Sequence, residues 1–86
     1  MPVKLITSIK ELDTSNLKVP VIVVYEHPDD YPEYYVARVF NMDKPTDTIM
    51  LKNTLEEIQK DIRENMNMVF FLRGAEDDPC IVGAWM

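Results

Sequence analysis

The segment Val19-Pro20-Val21-Ile22-Val23-Val24-Tyr25 narrows the possible folds more than any other part of this chain. It is β-branched almost throughout and apolar at odd and even positions alike. A strand of that kind needs neighbours on both edges and apolar cover on both faces, so it belongs in the middle of a sheet. Pro20 has no N–H to give a ladder and must stand at the strand's beginning. At seven residues this run is also far shorter than the roughly 18–20 needed to cross a bilayer.

Around this strand the rest of the chain reads as a series of short elements. Val3 to Ile6 is extended, and a helical turn over Ser8 to Leu12 follows, capped by Thr7 or Ser8. His27-Pro28-Asp29-Asp30-Tyr31-Pro32 is turn chemistry, Tyr34 to Phe40 a return strand, and Asn41 to Pro45 a second turn. Thr48 to Leu51 is a short strand leading to a helix capped by Asn53 or Thr54. Thr54-Leu55-Glu56-Glu57 forms a capping box, and Leu55, Ile58, Ile62 and Met66 repeat at helical spacing on one stripe. Met68 to Leu72 and Cys80 to Trp85 are the last two strands, separated by a turn from Gly74 to Pro79. The pattern predicts a single α+β domain over residues 1–86, β-β-β-α-β-β after a short N-terminal element. Each turn reverses the chain, so direction can be counted along it. Counting the strand at Val19 as the first, the expected sheet order is 3-2-1-4-5, with the helix on one face.

One helix covers one face only, whereas these strands are apolar on both. The N-terminal residues Leu5, Ile6, Ile9, Leu12 and Leu17 are available for the second face. Otherwise that face needs a partner. A chain of 86 residues buries only about 60–65% of its unfolded surface, which adds to the case for a homodimer. Tyr34, Tyr35, Trp85 and Met86 are the expected contact residues. The tyrosines Tyr31, Tyr34 and Tyr35 crowd one hairpin, and the chain is rich in methionine, both features of adaptable contact surfaces.

Fifteen acids against nine bases give a net charge of -6, which disfavours a nucleic-acid partner. The single cysteine, Cys80, excludes an internal disulfide and suits a reducing compartment. The N-terminus lacks the apolar core and cleavage site of a signal peptide, so a soluble, cytoplasmic protein is expected, without membrane attachment. The acids are unevenly placed. Glu26, Asp29, Asp30 and Glu33 flank the first hairpin turn, Glu76, Asp77 and Asp78 fill the last, and Glu56 and Glu57 open the helix. Direction counting brings all nine to one end of the sheet, where their field would attract a basic protein surface. Solvated turns and the helix dipole account for each cluster separately, but not for their common end.

Metal and catalytic chemistry find little footing. His27 is the only histidine, and Glu26-His27-Pro28-Asp29-Asp30 matches no calcium or zinc spacing, so no metal ligand and no cofactor is assigned. Cys80 has no cationic neighbour in sequence and reads as a small buried hydrophobe. Ser8 and Ser15 lie far from His27, two isolated glycines make no phosphate loop, and the paired acids sit in water-exposed turns. No catalytic residue is assigned. Arg38 and Arg73, flanked by aromatics, read as snorkelling side chains paired with surface acids.

Tyr34-Tyr35-Val36-Ala37-Arg38-Val39-Phe40, followed by Thr48-Ile49-Met50-Leu51-Lys52-Asn53-Thr54-Leu55-Glu56-Glu57-Ile58, resembles the HicB-like antitoxin domain over roughly residues 20–72. Proteins similar to these carry "YVA" in an early strand and "T-x-E-E-A" at the helix start. This chain departs from the pattern. It lacks the Pro-Gly turn before the third strand, has Ile58 where a small residue is common, and shows no DNA-binding extension. The resemblance implies a partner-binding domain without operator recognition, whose acidic edge would meet a basic toxin-like protein.

Three readings follow in order. The first is a non-catalytic cytoplasmic interaction domain acting as a homodimer, and the second a HicB-like binder of a basic protein. The third is a small enzyme or divalent-metal module using Glu26, His27 and the acids nearby.

Overall fold

The computed structural model describes residues 3–12, 14–74 and 79–86. Strands β1 (Lys4–Ile6), β2 (Pro20–Glu26), β3 (Tyr35–Asn41), β4 (Lys44–Lys52), β5 (Phe70–Leu72) and β6 (Ile81–Trp85) form one mixed sheet. Helix α1 (Leu55–Asn65) packs on one side of it, making an α+β fold. Two 3-10 turns, Ile9–Glu11 and Thr14–Asn16, connect β1 to β2.

The observed strand order is β1-β4-β3-β2-β6-β5. The strand at Val19 is central as its composition requires, and every strand runs in the counted direction. The expected order 3-2-1-4-5 is corrected at both sides of the sheet: the N-terminal strand β1 pairs parallel with β4 and adds a sixth strand at that edge, and the last two strands exchange places. The last strand, β6, lies against β2, and β5 is displaced to the edge. Length and burial explain the exchange. β5 has three residues and leaves Phe71 and Leu72 in solvent, whereas β6 has five and buries Gly83 and Trp85. The longer, better-buried strand serves the seven-residue central strand better. The chain must therefore travel four strand positions from β4 to β5, about 19 Å at about 4.8 Å each. The eleven-residue helix, about 16 Å long, also returns the chain to the end of the sheet where β5 begins, because β4 and β5 run parallel.

Thr54 caps α1 in extended conformation, its Oγ1 accepting the Glu57 N–H at 3.1 Å. Ile58 and Ile62 are fully buried, with Leu55 and Met66 packed beside them. They meet Ile22, Val24, Ala37, Val39, Met50 and Trp85, the helix-facing side chains of the sheet. Ile6, Ile9, Leu12 and Leu17 join this same cluster. Asp61 of α1 fixes the arrangement: its carboxylate accepts the Ser8 hydroxyl at 2.8 Å and the Ile9 N–H at 2.6 Å. Ser8 in turn caps the first 3-10 turn, with Glu11 closing a capping box. The N-terminal segment thus adds to the cover on the helix side, and of its five candidate residues Leu5 alone points to the opposite face.

Two local features depart from the sequence reading. β4 begins at Lys44, so the second turn is only Met42 and Asp43. Met42 takes a positive φ of 59° there, a conformation usually left to glycine. The β3–β4 register shifts between Arg38 and Phe40, and at that irregularity the Thr46 hydroxyl donates to the Val39 carbonyl at 2.8 Å.

Candidate functional site

Because β-strand side chains alternate, the registers define the sheet face opposite α1. It carries Leu5, Val21, Val23, Tyr25, Val36, Arg38, Phe40, Ile49, Leu51, Phe71, Ile81 and Ala84 in successive rows. Arg38 is its only charged member among these. The helix and both 3-10 turns lie on the other side, so this face receives its cover from the β2–β3 loop. Asp30 of that loop pairs with Arg38 at 2.6 Å, and the Arg38 guanidinium lies 5.9 Å from the Tyr25 ring centre. Both partners of the pair remain partly in water, which limits its worth to about 1 kcal/mol or less. Val36 and Ile49 are buried under this arrangement.

Toward β5 the cover gives out. Val69 is 62% exposed, Phe71 52%, Leu72 80% and the adjoining Met86 58%. A shallow apolar depression of about 240 Å³, lined by Val21, Val23, Phe71, Ile81, Ala84 and Met86, opens beside this edge. A second one, of about 320 Å³, lies at the far side of the sheet between Leu5, Leu51 and Tyr34.

The four expected dimer-contact residues divide between surface and interior. Met86 and Tyr34 are exposed. Tyr35 is half-buried on the helix side, where its hydroxyl donates to Glu26 Oε1 at 3.4 Å. Partial burial, with the Glu26 carboxylate adding to it, raises the Tyr35 phenol above its ordinary value. Trp85 is withdrawn altogether. It is 5% exposed, its ring lying 5.2 Å from that of Phe70, so it forms core rather than contact surface. The exposed apolar residues the sequence reading did not place at a contact, Val69, Phe71 and Leu72, lie in β5 or directly before it. Their exposure follows from the edge position that the expected strand order denied them.

At the upper end of the sheet, where β2 ends and β3 begins, the topology also brings the end of β4 and the start of α1. Glu26, Asp29, Asp30, Glu33, Glu56 and Glu57 stand at this end, all exposed. Glu76, Asp77 and Asp78 lie outside the described residues. The β2–β3 loop has internal order. His27 adopts φ 46°, its Nδ1 donates to the Pro32 carbonyl at 2.9 Å, and its ring sits 4.9 Å from Tyr35. Among the described residues, no three His, Cys, Asp or Glu side chains come together as a metal site would require. Cys80 is half-buried, and its carbonyl accepts the Glu26 N–H at 2.6 Å. No helix among the described residues is long and apolar enough to cross a membrane.

No protein-family model, curated protein or solved structure matches the chain.

Proposed function

We propose that this chain is a non-catalytic protein-interaction domain that works as a homodimer in the cytoplasm. The observation that carries the reading is the sheet face opposite α1. Apart from Arg38 its registered residues are apolar, the β2–β3 loop covers only part of it, and the N-terminal segment that had the residues to cover it is committed to the helix side. Contiguous apolar surface of this kind marks a contact site more often than idle exterior. Light scattering on an eluting column tests it: two copies of the 10.0 kDa chain give about 20 kDa. A mass of 10 kDa at every loading refutes the dimer.

A second reading is favoured by the acids that the topology assembles at the upper end, and by the likeness to the HicB-like domain. In it, that end receives a basic protein. Titration of the chain with a lysine-rich peptide is the test, with Asp29→Asn, Glu33→Gln and Glu56→Gln changed together. Salt-sensitive binding that the triple change weakens supports this reading. Binding that survives the change removes it.

A further inference from the structure

We propose that β5 is the strand through which two copies join, pairing antiparallel with its counterpart across a two-fold axis to make one continuous sheet. The proposal rests on the homodimer reading and says where the copies meet.

The hydrogen bonds of β5 fix which of its groups face outward. Val69 and Met86 exchange both N–H···O bonds, at 2.9 and 3.0 Å, and the Arg73 N–H donates to the Val82 carbonyl at 3.2 Å. Antiparallel ladders alternate, so residues 69, 71 and 73 turn their main-chain groups toward β6. Phe70 and Leu72 therefore turn theirs outward, to the open edge. Pairing β5 with itself about an axis at Phe71 sets Phe70 opposite the partner's Leu72 and Leu72 opposite the partner's Phe70. Each of these pairs can exchange two bonds, so all four outward groups are satisfied at once. An interface that matches its own copy in this way closes at two subunits.

Side chains and charge agree with that register. The two Phe71 rings become direct neighbours on the open face, continuous with the depression lined by Val21, Val23 and Ala84. Leu72, 80% exposed in one chain, comes to lie beside the partner's Phe70. Within a chain of net charge -6, the stretch from Asn65 to Gly74 contains no acid and one base, Arg73. Antiparallel pairing also sets the acidic upper end of each copy beside the lower end of the other. That lower end carries Lys18 and Lys44 against one acid, Asp43, so the two acidic ends are kept apart. Apart from its three-residue length, the strand carries none of the devices that keep edges single. It has no Pro, no Lys and no bulge, whereas β1 at the opposite edge has Lys4.

Two variants test the proposal beside the unaltered chain. In Leu72→Pro the ring removes an outward N–H and obstructs an incoming strand while leaving the bonds to β6 in place. Its mass should fall to half that of the unaltered chain. In Phe71→Cys with Cys80→Ser, the two new thiols lie opposite each other in a non-hydrogen-bonded pair. Such pairs have Cα atoms about 4.5 Å apart, within disulfide range. Mild oxidation should convert this variant to a covalent dimer, and Leu72→Cys with Cys80→Ser should cross-link far less. An unaltered chain that runs as a dimer, with Leu72→Pro still dimeric and no cross-link at position 71, overturns the edge pairing while the dimer stands. Monomer mass for the unaltered chain overturns both. Mass that grows past two copies with concentration overturns the two-fold arrangement.

Discussion

Gly83 is where β5 and β6 come too close for any other residue, and Gly83→Ala is accordingly expected to destabilise the fold by about 2–3 kcal/mol. Gly83 stands on the helix-facing side of β6, between Val24 and Leu72. A Cβ placed there meets the Phe70 ring at 2.5 Å (Cζ) and 2.8 Å (Cε1), and comes closer still to the Phe71 carbonyl oxygen. Neither neighbour yields easily. The Phe70 ring is held against Trp85, and the Phe71 carbonyl belongs to the backbone of a strand bonded along its length to β6. Overpacking a close contact costs typically about 1–3 kcal/mol, and a clash that includes main chain belongs at the upper end of that range. Against a total of about 4–13 kcal/mol for a chain this size, the loss is large.

Urea unfolding followed by the fluorescence of Trp85, the chain's one tryptophan, measures it. Two controls locate the effect. Ala84→Val enlarges the next residue of β6 on the open face, beside the 240 Å³ depression, and should change stability by no more than about 0.5 kcal/mol. Phe70→Leu removes the ring atoms nearest the new methyl, so the double variant should lose less than the sum of the two single losses, by about 0.5 kcal/mol or more. A Gly83→Ala loss under about 0.5 kcal/mol, or strict additivity with Phe70→Leu, refutes the packing argument.

Three further outcomes are expected. Asp61→Ala leaves the Ser8 hydroxyl and the Ile9 N–H without their acceptor, and should lower the unfolding free energy by about 1.5–3 kcal/mol in a urea titration. Met42→Gly relieves the positive φ in the β3–β4 turn and should raise it by about 0.5–1 kcal/mol; a loss would show the turn is unstrained. Glu11 is held below the ordinary glutamate range by the Thr7 hydroxyl, with the Thr7 and Ser8 N–H groups adding to it. A carboxylate depressed in the folded state contributes stability above its ordinary range and loses it as pH falls through the lower, folded value. The stability advantage of the unaltered chain over Glu11→Gln should therefore shrink as the pH falls through that interval, and an advantage that is constant with pH contradicts the bonding seen.

The helix, its cap, the central strand and the running direction of every strand were legible because each rests on local chemistry. Thr54 and the stripe through Ile58 and Ile62 act within a few residues, and the β-branched run from Val19 names its own place in the sheet. The order of the last two strands was not legible, because Met68 to Leu72 and Cys80 to Trp85 are alike in apolar content. What separates them is a tertiary fact, the length over which each pairs: three residues for β5 and five for β6. The same misplacement hid the edge patch: with β5 assumed internal, no exposed edge was expected at Phe71 and Leu72, and Trp85 was expected at the contact surface.

The N-terminal segment decides how much of this molecule remains for a partner. Leu12 and Leu17 carry no instruction about which face to join, and composition alone would let them close the open side. Asp61 supplies the instruction. A carboxylate on the solvent flank of α1 that binds the Ser8 cap draws the following turn, and Ile9 with it, onto the helix side. The cost is a second sheet face with a loop in place of a layer. For an 86-residue chain there is no further segment among the described residues to spend on that face. The exposed apolar residues cluster at β5, and there the main chain also presents an edge that no strand among the described residues pairs. Covering either one by a second copy covers the other, which is why the two needs are met by a single contact.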